Sequence, residues 1–169
     1  MNNTIIDHAI KPNGRFSRRS YLAWNMLIGF VILIIGLITA MFIPNAEQSF
    51  SDGAMPIPLL IIFFILYAVS LYFSIIFLIR RLHDRDHSGW MALLILVPVV
   101  NIIFGLYILF APGQAGVNQF GPQRPTRGWE NVLAILYVLV MLLGLVAAVM
   151  LPSYQNYVER SQQISIERS

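Results

Sequence analysis

The chain has 169 residues, 57% of them hydrophobic and 11% charged, with a formal net charge of +3 and a mean hydropathy of +0.71. Soluble domains carry about 25% charged residues, so composition excludes an ordinary soluble globule, and four long apolar stretches in so short a chain could be covered only by lipid or by one another. Cysteine is absent, which removes disulfide and thiolate chemistry, and the positive balance clusters at the ends of the apolar stretches, where it reports membrane orientation rather than a nucleic-acid surface.

Residues 1–20 carry Lys11, Arg15, Arg18 and Arg19 against Asp7 alone. Basic charge beside a span marks the cytoplasmic side, because translocating it is costly, so this segment is expected to be a cytoplasmic N-terminus. The first apolar stretch, residues 21–43, is too long for a signal-peptide core and lacks a small-residue cleavage pattern before Pro44, which predicts a retained span. Residues 44–56 carry Glu47 and Asp52 and no basic residue, which predicts an outward loop. The second stretch, residues 57–79, then leads into Arg80, Arg81 and Arg85, as the return leg of a helical hairpin requires.

Residues 90–110 form the third stretch, interrupted by Pro98 and Asn101. Proline removes a backbone donor and clashes with the preceding turn, so a kinked span is the plainer expectation and a re-entrant pair of half-helices the alternative. A span would put Arg124 and Arg127 outside and return the tail, with Arg160 and Arg168, inside; re-entry reverses both. Basic-residue bias is equal in the two arrangements. Residues 111–129 are rich in Gly and Pro and read as an ordered turn or extended loop. The fourth stretch, residues 132–151, ends at Pro152, after which Tyr154, Tyr157 and Val158 fall at helical spacing and suit interfacial anchoring by the two tyrosines. Each stretch is near the roughly 20 residues that a helix needs to cross about 30 Å of hydrocarbon. The expected fold is therefore all-α, a polytopic membrane helical bundle with four apolar segments. Residues 21–122 make the membrane domain, 123–131 a linker, and 132–169 a C-terminal helix with a short amphipathic tail.

The densest group of chemically active side chains is Arg80, Arg81, His83, Asp84, Arg85, Asp86 and His87, followed by Ser88, Gly89 and Trp90. On a continuing helix Arg80 and Asp84 are four apart and Arg81 and Asp84 three, spacings that allow ion pairs. Such pairs would organise a helical hairpin if buried, and Arg80, Arg81 and Arg85 could meet anionic headgroups if exposed. His83 and His87 share a face at a metal-binding spacing, but a third ligand and an open position are not evident, so no metal or other cofactor is expected. The serines lack the context of an activated nucleophile, and no phosphate-binding glycine loop is present. Asn25 and Asn101, inside apolar stretches, read as packing amides.

Several of these motifs occur together in one order: Gly14-Arg15-Phe16-Ser17-Arg18 with Tyr21 and Trp24, Arg80-Arg81-Leu82-His83-Asp84, Ser88-Gly89-Trp90, Pro112-Gly113 through Asn118, and Phe120-Gly121-Pro122. Over about residues 14–122 the chain thereby resembles the bacterial membrane family designated domain of unknown function 805. The resemblance implies an inner-membrane protein without an established activity. It makes Arg15, Arg18, Arg80, Arg81, His83, Asp84, Trp90 and Asn118, with Arg85 beside them, the candidate lipid- or partner-binding positions. Residues 145–162 in turn resemble the first helix of a type IV pilin, but Glu130 is too early for the pilin glutamate and the segment is internal to a polytopic chain. The leading expectation is a non-enzymatic membrane protein that scaffolds or modulates another membrane component. Its partners would be membrane lipids, another membrane protein or pilin-like helix, or a second copy, and not nucleic acid. A small oligomeric transporter or channel is the alternative, and a membrane enzyme acting on lipid or envelope precursors through His83 and Asp84 is third.

Overall fold

The structure, a computed structural model, describes residue 8 and residues 10–43 and 56–167. Asp7, Arg168 and the expected outward loop with Glu47 and Asp52 lie outside the described residues. The chain divides into two compact units, Met1–Ala134 and Ile135–Ser169.

In the first unit, helix α1 (Arg18–Phe42) begins where the Ser17 side chain accepts the Ser20 amide at 3.2 Å, which satisfies one of the orphan donors of a helix start. Helix α2 (Ile57–His83) carries Pro58 in its first turn, where a missing N–H costs nothing. With 25 and 27 residues, the two helices are about 37 and 40 Å long and exceed the hydrocarbon thickness. Inside the apolar stretch they are tied by Asn25, whose amide donates to the Tyr21 carbonyl at 2.9 Å and accepts from the Ser74 hydroxyl at 3.2 Å. The amide is thus packing glue, as its sequence setting suggests.

Beyond α2 the chain turns with the paired bonds of a Schellman motif, His87 N to Leu82 O at 3.0 Å and Asp86 N to His83 O at 3.1 Å. Asp86 takes the left-handed position at φ 59°, which its short polar side chain tolerates. A 3-10 helix then runs over Gly89–Leu96, capped by Ser88, and helix α3 follows over Val100–Phe110. Pro98 separates them by pushing Val97 into extended backbone. The tip closes by a γ-turn in which Val100 N bonds Pro98 O at 2.8 Å across Val99 at φ 68°.

Eight residues of 3-10 helix at 2.0 Å each and eleven of α-helix at 1.5 Å each give two arms of about 16 Å, roughly half the hydrocarbon thickness. Gly89 lies against Ile79 at the start of the first arm, and Arg81 in the last turn of α2 bonds the Ile108 and Ala111 carbonyls at the end of the second, so the segment leaves from and returns to the same end of α2. This corrects the expectation of a kinked fourth crossing: residues 90–110 form a re-entrant hairpin. The hairpin packs on the last turns of α2 through Leu78, Leu82, Ala92, Phe104 and Ile108. Gly89 permits the approach, since a Cβ there would come within 2.9 Å of Ile79 Cγ2. A second cluster, Phe16, Ile76 and Phe77 with Trp24 and Phe73 against it, seats the N-terminal segment on α1 and α2.

Helix α4 (Gly128–Glu167) opens in the first unit and continues through the second. It continues past the apolar stretch through Pro152, whose missing donor is accompanied by a Ser153 hydroxyl bond to the Val149 carbonyl at 3.2 Å. With α1 and α2 it makes three helices long and apolar enough to cross a membrane among the described residues.

Candidate functional site

The polar end of the first unit is built around Asp84, the residue that follows α2 and is 0% exposed. One carboxylate oxygen accepts from Arg15 Nε at 3.2 Å and Nη2 at 3.1 Å, and the other accepts from Arg81 Nη1 at 2.8 Å. Arg81 also donates from Nε to the Ile108 carbonyl at 3.0 Å and from Nη2 to that of Ala111. It thereby caps the carbonyl end of α3, where a cation is favoured, and fixes where the hairpin must finish. Burial pushes the Asp84 carboxyl above its ordinary value, while Arg81 and Arg15 pull it down.

The loop of residues 111–127 folds over this centre because Arg15 collects its carbonyls. Nη1 donates to Gly116 O at 2.6 Å and Gly121 O at 3.2 Å, and Nη2 donates to Gln114 O. Gln114 N bonds Asp84 O at 2.8 Å, and the Asn118 side chain donates to His83 O at 2.7 Å. Asn118 also closes its own turn, accepting from Phe120 N at 2.9 Å, so that the Phe120 ring stacks on His83 at 3.7 Å between centroids. Gly113 sits against the carboxylate so closely that a Cβ would lie 2.1 Å from Asp84 Oδ2. The Gly- and Pro-rich segment is therefore an ordered lid.

A second buried acid, Glu130, was not among the candidates. It lies in the first turn of α4 and accepts from Ser20 Oγ at 3.0 Å, Trp24 Nε1 at 2.9 Å, Arg124 Nη2 at 2.7 Å and Arg127 N at 2.9 Å. The last contact has the geometry of half a capping box although Arg127 is not a capping residue type, and an acidic residue in the first turn, just before an apolar run, is the signal that could have found it. These bonds seat the start of α4 on the start of α1.

Arg15, Arg80, Arg81, His83, Asp84 and Asn118 are thus brought together, with Arg80 Cζ 4.0 Å over the Phe16 ring and its Nη1 donating to His8 O at 2.7 Å. Of the two expected pairings on the helix, the three-residue one, Arg81 with Asp84, forms at 2.8 Å. Arg85 lies at the edge, donating to the Tyr107 hydroxyl at 3.0 Å and to Pro112 O at 2.6 Å. Arg18 reaches Phe110 O at 3.1 Å from an exposed position. Trp90 is 80% exposed and stands apart, and Tyr154 and Tyr157 are exposed on α4 in the second unit. The two histidines diverge: His83 Nδ1 lies 3.3 Å from Gly14 O, and His87 Nε2 lies 2.6 Å from the Tyr107 hydroxyl.

Bilayer-length apolar helices closed at one end by buried ion pairs define a polytopic integral membrane protein. The chain belongs to the family described as protein of unknown function (DUF805), whose model matches residues 9–122. It is 27% identical over 122 residues to inner membrane protein YhaI of Escherichia coli K12, covering 70% of this chain and 89% of that protein. It is 28% identical over 119 residues to inner membrane protein YhaH of the same strain, covering 70% and 90% respectively. No solved structure matches it. The protein is accordingly a multi-pass protein of the bacterial inner membrane. The family match takes in the Arg15–Asp84–Arg81 centre, the hairpin and most of the lid, and stops before Glu130 and α4.

Proposed function

We propose that the protein is a non-enzymatic scaffold or modulator of another inner-membrane component, held with its polar end in the cytoplasm and in contact there with anionic lipid. The observation that carries this reading is the commitment of the polar centre. Arg15, Arg81 and Asp84 are each buried and bonded to one another or to backbone carbonyls, so they act as architecture and leave the outer residues to meet a ligand. Asn25, inside the apolar stretch, is likewise engaged by Tyr21 and Ser74, which favours packing over a transport path.

Orientation is supported by charge. Every Lys and Arg of the chain except Arg160 and Arg168 falls at or before the start of α4, with the N-terminal group beside the first helix, the bias expected of a cytoplasmic face in either arrangement of the third stretch. The docking element is α4, whose apolar side chains Leu143, Val146 and Val149 are exposed, beside Gly144, Ala147 and Ala148 that permit close helix approach.

Photo-crosslinking groups placed singly at Leu143, Val146 and Val149 of the full chain in intact cells are expected to trap one reproducible membrane protein or a second copy. Lipid adducts alone at all three positions would contradict the scaffold reading.

A further inference from the structure

We propose that the polar cleft at the start of α1 binds a phosphate-type oxyanion, presented in the bilayer as the headgroup of an anionic phospholipid. The inference rests on the lipid contact proposed above and gives it a place and a chemistry.

The cleft has a volume of about 220 Å³ and lies between Ser17, Arg18, Arg19, Gln123, Thr126 and Asp84. That is roughly the volume of seven waters, enough for a phosphodiester and part of its hydration. Its wall differs from the buried centre in how donors are used. The guanidinium groups of Arg15 and Arg81 are consumed by carboxylate and carbonyl oxygens. Among the described residues, Arg18 uses its guanidinium for one hydrogen bond, to Phe110 O at 3.1 Å, and Arg19 for one, to Asn131 Oδ1 at 3.2 Å. Both side chains are exposed, so most of each planar donor fork is left for an oxyanion, the partner that the fork fits best.

Three further features agree. The backbone N–H groups of Arg18 and Arg19 are the first two of α1, have no carbonyl behind them in the helix, and carry the positive end of its dipole. The hydroxyls of Ser17 and Thr126, 2.8 Å apart, add to the polar lining. The lining holds two guanidinium groups, Arg18 and Arg19, against one carboxylate, Asp84, whose charge is countered by direct contact with Arg15 and Arg81. The lipid source follows from place: Arg18 and Arg19 open a helix that is bilayer-length and apolar from Tyr21 onward, which sets them at headgroup depth.

The test uses the full-length protein in a neutral detergent. Binding is titrated with dioctanoyl phosphatidylglycerol, dioctanoyl phosphatidylcholine and inorganic phosphate at matched ionic strength, followed by the shift in Tm and by native mass spectrometry. Phosphatidylglycerol is expected to bind saturably and more tightly than phosphatidylcholine, with Arg18→Gln and Arg19→Gln each weakening it about tenfold. Arg19→Lys should keep part of the affinity, and Thr126→Val should lower it by less than either glutamine variant. The Tm without lipid reports folding, so a variant that fails to fold leaves the other substitutions to decide. Phosphatidylglycerol binding that no substitution alters would overturn the cleft and leave the lipid contact of the proposed function standing elsewhere. No preference for phosphatidylglycerol over phosphatidylcholine, with no phosphate binding, would overturn both. Inorganic phosphate that binds and displaces phosphatidylglycerol at similar concentration would keep the oxyanion site and overturn the lipid as its source.

Discussion

Asp84 is the residue on which the polar end converges, and its neighbour Gly113 gives the sharpest single-residue prediction. In Gly113→Ala the new methyl would sit 2.1 Å from Asp84 Oδ2, and the carboxylate cannot swing away because Arg15 and Arg81 hold it from both sides. Thermal unfolding in detergent is expected to show a loss of about 3 kcal/mol, the scale of a broken buried ion pair. Gly105→Ala is the matched control: it lies inside α3 with nothing within 4 Å of its Cβ, and should be neutral or stabilising by about 0.5–1 kcal/mol. Arg15→Lys keeps the charge but loses the fork that serves Asp84, Gln114, Gly116 and Gly121 together, and is expected to destabilise nearly as much as Arg15→Gln by the same measurement. At this scale the sequence was half legible. The Arg81–Asp84 pair could be read from a three-residue spacing, whereas Arg15 joins Asp84 across 69 residues, a contact that no local spacing encodes. Glu130 does not fit the pilin pattern, yet an acid in the first turn of α4 has a local physical reason to be there, beside the positive end of the helix dipole.

Among the elements, α1 and α2 were readable to within a few residues because each is a long apolar run bounded by a cap or a charge. The third stretch was not, since the choice between a kink and re-entry turns on where its far end is anchored. Arg81 and Arg18 decide this by holding Ile108, Ala111 and Phe110 carbonyls at the end where the hairpin began. The tip carries the cost of the reversal. Val99 is a β-branched residue at φ 68° and 70% exposed, in a conformation that costs such a residue on the order of 1–3 kcal/mol. Val99→Gly should therefore raise the unfolding midpoint, by about 1 kcal/mol of stability after the entropy of glycine is counted. A lowered midpoint would mean that the γ-turn is not the ground state of the tip. The fourth stretch ends at Pro152 by hydropathy, and the residues after it, read as a short helical tail, continue the same helix, α4, to Glu167.

For the whole molecule, the family-matching part is a pair of bilayer-length helices plus a half-depth hairpin, locked at one end by buried charge and covered by an ordered lid. The segment after α2 returns to the side it left, so that the N-terminal segment and the lid share one face of the membrane. Absence of native cysteine allows a direct check with single cysteines at Lys11 and at Val117, both exposed, using a membrane-impermeant thiol reagent on intact and on opened cells. Both positions are expected to react only after the membrane is opened; labelling of Val117 in intact cells while Lys11 stays protected would establish a fourth crossing and contradict the re-entrant hairpin.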